Sequence, residues 1–174
     1  MHEADAEHGT WVAAALARYE RRLVAYARRL TGDLERAREI VQEVFLRLWT
    51  QPEARVRDRL AEWLYTVCRN LAIDLRRKEG RMGIMSPESL DTGPASDASP
   101  ATAVEQRQAV SRLLQCVAAL PEQQQEVLRL KFQHDLSYKE IAHITGMTVS
   151  HVGVVLHHAV TALRTQCTEP GGVQ

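Results

Sequence analysis

"LSYKEIAHITGMTVSHVGVVLHH", residues 136–158, decides the fold. Ser137 and Glu140 match the capping box Ser-x-x-Glu, in which each side chain satisfies a backbone N–H at a helix start. Gly146 stands where that short helix must close on a left-handed residue, and Thr148 can cap the helix that follows. Val152, Leu156, Ala159 and Leu163 recur at three-four spacing, which predicts a second helix buried along one side. Two helices joined by a Gly-containing turn have helix-turn-helix spacing. The second of them carries Gly153, Val154 and Val155 where a DNA-reading helix usually displays polar or basic groups.

Working outward, Val110, Leu113, Leu114, Val117 and Ala118 mark one earlier helix, and Pro121 is placed to open another through Val127, Leu128, Leu130 and Phe132. Before these lie residues 82–104, with three prolines, two glycines, four serines and few large apolar groups, the composition of a flexible connection and a domain boundary. The N-terminal part has three apolar stripes. Leu16, Tyr19, Leu23, Tyr26, Ala27 and Leu30 form the first, which ends at Gly32. Asp33 can cap the second, made of Leu34, Ala37, Ile40, Val41, Val44, Phe45, Leu48 and Trp49 and stopping before Pro52. Leu60, Trp63, Leu64, Val67, Cys68, Leu71, Ala72 and Leu75 form the third. Every apolar run follows the helical period and none alternates, so the expected fold is all-α: helical domains at 10–81 and 105–166 joined by a flexible linker, 82–104.

Composition narrows the function classes. The 174 residues are 45% apolar but only 5% aromatic, as in compact aliphatic helical cores. The net charge of zero hides an asymmetry: residues 10–81 hold 16 Lys and Arg against 10 Asp and Glu, while residues 111–165 hold 5 against 4. The acidic start, MHEADAEHGT, does not resemble a signal peptide, and no apolar run reaches the ~18 residues of a membrane span, so no membrane insertion and a cytoplasmic location are expected. Cys68, Cys116 and Cys167 are too dispersed for a disulfide framework, and the histidines of the last helices lack zinc spacing. No nucleophile-base pair or phosphate loop is present, so neither an enzyme nor a cofactor site is expected.

Two segments carry candidate surfaces. In "DLERAREIVQEVFLRLW", residues 33–49, Glu39, Gln42 and Glu43 face away from the stripe, which fits either a solvated face or a docking surface. In "LAEWLYTVCRNLAIDLRRKEGR", residues 60–81, Asn70, Asp74 and Arg77 share a helix face, with Arg69, Arg76, Lys78 and Arg81 nearby. Such a face can hold phosphates through Arg and Lys while Asn or Arg meets base edges, although an ordinary solvated face has the same composition. Trp63 and Tyr65 add aromatic surface near Arg55, Arg57 and Arg59, the ingredients of a stacking site for unpaired bases; Trp63 also lies in the apolar stripe.

Together these segments resemble the extracytoplasmic-function (ECF) group of the sigma-70 family of bacterial RNA polymerase subunits, over roughly residues 12–165. "IVQEVFLRLW" resembles the helix that grips the clamp coiled coil of the largest polymerase subunit, which implies polymerase-binding roles for Glu39, Gln42, Glu43, Phe45 and Arg47. "EWLYTVCRNLAIDLRRK" resembles the helix that recognises and melts the minus-ten element, implying DNA-binding roles for Trp63, Asn70, Asp74, Arg76 and Arg77, with Arg55 and Arg57 beside them. "ALPEQQQEVLRLKFQHDLSYKEIAHITGMTVSHV" resembles the second sigma domain, which sits on the polymerase flap and reads the minus-thirty-five element; Lys139, Thr148, Ser150, His151, Val154, His157 and His158 are the matching candidates. The family commonly has Lys or Arg at the positions of Gly153, Val155 and His158, so this helix departs from it.

The resemblance implies core RNA polymerase and promoter DNA as partners, and makes an anti-sigma factor a possible third. Two alternatives stay open: a sigma-like protein that occupies polymerase as an antagonist or partner-dependent regulator, and a plain helix-turn-helix DNA-binding regulator.

Overall fold

The computed structural model describes residues 2–80 and 100–168, with side chains described over 6–80 and 107–166. Arg81, most of the linker at 82–104 and the Cys167 side chain lie outside the described residues. The elements are α1 (His2–Thr31), α2 (Leu34–Trp49), α3 (Glu53–Val56), a 3-10 turn (Arg57–Arg59), α4 (Leu60–Glu79), α5 (Pro100–Ala118), α6 (Glu122–Phe132), α7 (Tyr138–Thr145) and α8 (Val149–Thr168). No strand occurs among the described residues. The chain divides into two compact units, with α1 to α4 in the first.

The first unit is a bundle of α1, α2 and α4, each packed on the other two. Its stripes meet as the spacing predicts: Leu23, Ala27, Ala37, Val44, Leu48, Leu64, Cys68 and Ala72 are all fully buried. Each large aliphatic group among them contributes about 1.5–3 kcal/mol by leaving water. Leu16 and Trp49, assigned to stripes by their spacing, are instead largely exposed. The corner between α1 and α2 turns at Gly32, whose φ of 75° lies in the left-handed region. Asp33 then caps α2, its Oδ1 accepting from the Arg36 N–H at 2.8 Å. Between α2 and α4 the chain forms α3 and a 3-10 turn where the sequence implied only a loop, and Val56 closes the core from this segment. The first turns of α1 lie against the end of α2, with His8 Nε2 3.0 Å from the Trp49 carbonyl oxygen.

In the second unit α8 packs on α5 and α6. Leu120, Val127, Leu130, Leu136, Ile141, Val152 and Ala159 form its core. α5 starts at Pro100, inside the expected linker, because proline suits a first helical turn and Ala101 and Ala103 extend it well. The Gln125 side-chain amide donates to the Leu120 and Ala118 carbonyls at 2.8 and 3.0 Å, closing the turn between α5 and α6. Asp135 turns the chain after α6 at φ 55°, a conformation its short polar side chain tolerates.

Candidate nucleic-acid and polymerase interfaces

On α2, helical spacing puts Glu39, Gln42, Glu43 and Leu46 on adjoining turns outside the bundle. Glu39, Gln42 and Arg47 are exposed, and Arg47 Nε donates to Glu43 Oε1 at 2.7 Å, which fixes the pair along the helix surface. Leu46, not singled out from the sequence, is 62% exposed in the midst of these polar groups. Its signal was present: it is the apolar residue of this helix that falls out of register with the buried stripe. Phe45 corrects an expectation, because at 8% exposure its ring belongs to the core and offers a partner no face. An apolar side chain among acidic, amide and basic groups is an arrangement that can serve in protein docking.

On α4, Asn70, Asp74 and Arg77 are exposed along one edge, and Arg77 Nη1 lies 3.9 Å from Asp74 Oδ1. Arg69 and Arg76 are half-buried beside them. Trp63 lies two turns before Asn70 on the same side of the helix and is half-buried, so part of its ring system faces outward. Tyr65 is different. It is 1% exposed and makes an edge contact with Tyr26 at 5.2 Å between ring centroids. Burial pushes its hydroxyl pKa well above the ordinary value, against a smaller opposing effect of Arg22. The stacking surface expected of Tyr65 is therefore absent; its ring packs in the core of the bundle against Tyr26. Burial likewise pushes the Cys68 thiol up to about 12 and keeps it protonated. Arg55 is exposed at the end of α3, and Arg57 donates through Nε to Glu53 Oε1 at 2.7 Å. Arg55 stands on α3 and Arg57 opens the 3-10 turn.

On the helix-turn-helix, the capping box forms as read: Ser137 N–H donates to Glu140 Oε2 at 2.7 Å, and Glu140 N–H to Ser137 Oγ at 3.2 Å. Gly146 takes φ 74°, and Thr148 Oγ1 accepts from the His151 N–H at 3.2 Å, so Thr148 caps α8. Ser150, His151, Val154, His157 and His158 are all exposed, as is Lys139 on α7. Val155 is buried, so its departure from a basic residue is a core substitution and removes nothing from the outward face. A Cβ on Gly153 would meet Tyr138 Cε2 at 3.7 Å, an ordinary contact, so packing within this unit does not require glycine there. Lys131 Nζ donates to the Leu136 carbonyl at 3.2 Å and sits 5.9 Å from the Tyr138 ring, which turns it toward its own unit.

A fourth surface was not anticipated. Leu113, Val117, Leu128, Phe132, Val160 and Leu163, with Arg164 at the side, line an apolar groove of about 490 Å³ between α5, α6 and α8. Phe132 on its rim is 66% exposed. Among the described residues no group of His, Cys, Asp and Glu is arranged to hold a metal, and no helix is long and apolar enough to cross a membrane.

Residues 15–82 match the sigma-70 region 2 family, and residues 111–163 match sigma-70 region 4. The ECF RNA polymerase sigma factor SigL of Mycobacterium tuberculosis is 34% identical over 151 residues, covering 84% of this chain and 82% of that protein. The ECF RNA polymerase sigma factor RpoE of Cereibacter sphaeroides is 32% identical over 130 residues, covering 74% and 70%. Among solved structures, the sigma factor RpoE of Bartonella quintana, crystallised with the anti-sigma factor NepR, has the same fold with a TM-score of 0.65 at 19% identity, over 88% of this chain and 94% of that one. With both sigma-70 regions matched in order and ECF relatives matched over most of their length, the chain belongs to the ECF group of the sigma-70 family.

Proposed function

We propose that the protein acts as an alternative sigma factor that binds core RNA polymerase and directs promoter-specific transcription initiation in the cytoplasm. Residues 10–81 serve as sigma domain two, 82–104 as the linker and 105–166 as sigma domain four. The exposed α2 surface of Glu39, Gln42, Glu43, Leu46 and Arg47 docks on the clamp coiled coil of the largest subunit. Leu46 supplies the apolar anchor and the polar groups its orientation. Domain four places its apolar groove on the polymerase flap.

The α4 edge takes the minus-ten element. Opening a duplex costs stacking and pairing energy, and a base held outside the helix by an aromatic face beside basic groups offsets part of that cost. The outward part of Trp63 is the stacking surface, Asn70 meets a base edge, and Arg76, Arg77, Arg55 and Arg57 hold phosphates. Asp74 orients Arg77. No covalent step is required of the chain. On α8, Ser150, His151, Val154, His157 and His158 meet the minus-thirty-five element, Lys139 approaches the backbone, and Thr148 serves as the cap that aims the helix. A protein partner of the anti-sigma kind would silence the factor by covering these same surfaces.

The observation that supports this assignment is the presence on one folded unit of two separate exposed surfaces, Leu46 among polar groups on α2 and the Asn70, Asp74 and Arg77 edge on α4. A plain helix-turn-helix regulator needs neither. The test is transcription by purified core polymerase on fragmented genomic DNA of the source organism, with and without the protein, mapping new RNA starts. Starts that share a two-part upstream motif are expected. Tight polymerase binding without new starts would favour the antagonist, to which the charge-poor α8 lends its own support.

A further inference from the structure

From Val149 to Leu163, α8 contains no Asp, Glu, Lys or Arg; its titratable groups over that span are His151, His157 and His158. All three are exposed. Because Val152, Val155, Leu156 and Ala159 turn into the core, the histidines share the outward side with Ser150 and Val154. The rings of His157 and His158 lie 6.2 Å apart, centroid to centroid. Among the described side chains, the charged groups on the helices packed against α8 are Arg107 and Arg112 of α5 and Glu122, Glu126, Arg129 and Lys131 of α6; both helices pack on α8 through largely apolar residues such as Leu113, Val117 and Leu128. On α7, Lys139 and His143 are exposed, while Glu140 is held in its capping box.

A helix laid against duplex DNA gains much of its affinity by neutralising phosphates, and this one has no permanent cation with which to do so before Arg164. Neutral imidazole offers an anion one N–H donor; imidazolium offers two donors and a charge. Histidine is the side chain whose ordinary charge change falls between pH 5 and 8, and a nearby anion favours the charged form. We propose that α8 holds promoter phosphates through His151, His157 and His158 as imidazolium, so that binding of the upstream element takes up protons. This rests on the assignment of α8 to that element. Affinity then rises as pH falls, and each histidine that neutralises a phosphate adds about 0.9 to the slope of log affinity against log salt.

The test uses holoenzyme assembled from core polymerase and the full chain, on a promoter fragment recovered by the start-site mapping. Upstream-element occupancy is measured by footprinting at about pH 6 and about pH 8 across a salt series. The wild type is expected to bind the upstream element about tenfold more tightly at the lower pH, with a steeper salt slope. In H151Q/H157Q/H158Q the difference between the two pH values disappears, and in H151R/H157R/H158R tight binding persists at both. Equal wild-type affinity at the two pH values, or a difference that survives in the Gln variant, overturns the inference and leaves the assignment standing. No upstream protection at either pH, with the downstream element occupied, overturns both together.

Discussion

Phe45 and Leu46 are separated by one step of about 100° around α2, and that rotation puts one in the core and the other in solvent. Substitutions should therefore have opposite consequences. Phe45→Ala is expected to destabilise the first unit by about 3–5 kcal/mol, read from urea unfolding, because it empties a packed site. Leu46→Asp should leave unfolding within about 0.5 kcal/mol of wild type. It should weaken competition for core polymerase by about tenfold or more. On α4, replacing Arg76 and Arg77 together by Ala should abolish promoter opening, measured by reactivity of unpaired thymines, while polymerase binding persists. Residues of this kind were legible as types and spacings. What the sequence did not settle was the facing of residues near a stripe's edge: Tyr65 and Val155 turned inward, and Leu46 and Trp49 outward, because only the neighbouring helices fix the boundary between core and solvent.

At the scale of elements, termini were the most legible features, since caps depend on local backbone chemistry alone. Gly32, Asp33, the Ser137 and Glu140 pair, Gly146 and Thr148 all do what their residue types predict. Asp33→Ala should cost about 1 kcal/mol in the first unit through loss of the α2 cap. Gly146→Ala should cost the helix-turn-helix about 1–2 kcal/mol, because a Cβ strains a positive φ even with open space around it. Both are checked by denaturant unfolding followed by circular dichroism. α3 and the 3-10 turn escaped detection because so few residues contain no measurable period. The apolar groove was invisible for another reason: three separate helices shape it, and Leu113, Val117, Leu128, Phe132 and Leu163 each read locally as ordinary core.

At the scale of the molecule, the core of the first unit sets a response to alkali. Cys68 is raised by burial from 9.0 to about 12, and Tyr65 is raised as well. A raised folded-state pKa means that the unfolded chain loses its proton first. Stability is thus fully present below about pH 9 and declines as pH climbs toward 12. Urea midpoints at pH 8 and at about pH 10.5 test this, with a lower midpoint expected at the higher pH and a smaller drop in Cys68→Ala than in wild type. The two-unit plan was legible from composition, because residues 82–104 hold too few large apolar groups to build a core. Cutting the chain there should lower open-complex formation at limiting protein by about a hundredfold or more, since the linkage holds each unit at high effective concentration near its DNA.

The shared core of α1, α2 and α4 has one more consequence. The α2 helix proposed to meet polymerase and the α4 edge proposed to meet DNA are faces of one packed body, and Arg36 Nη1 meets Glu79 Oε2 at 2.5 Å to join the start of α2 to the end of α4. Such a body behaves as a ruler. Under the proposed function, once seated on the enzyme it would set the distance in base pairs from the melted element to the first templated nucleotide, and each promoter served would inherit the same offset.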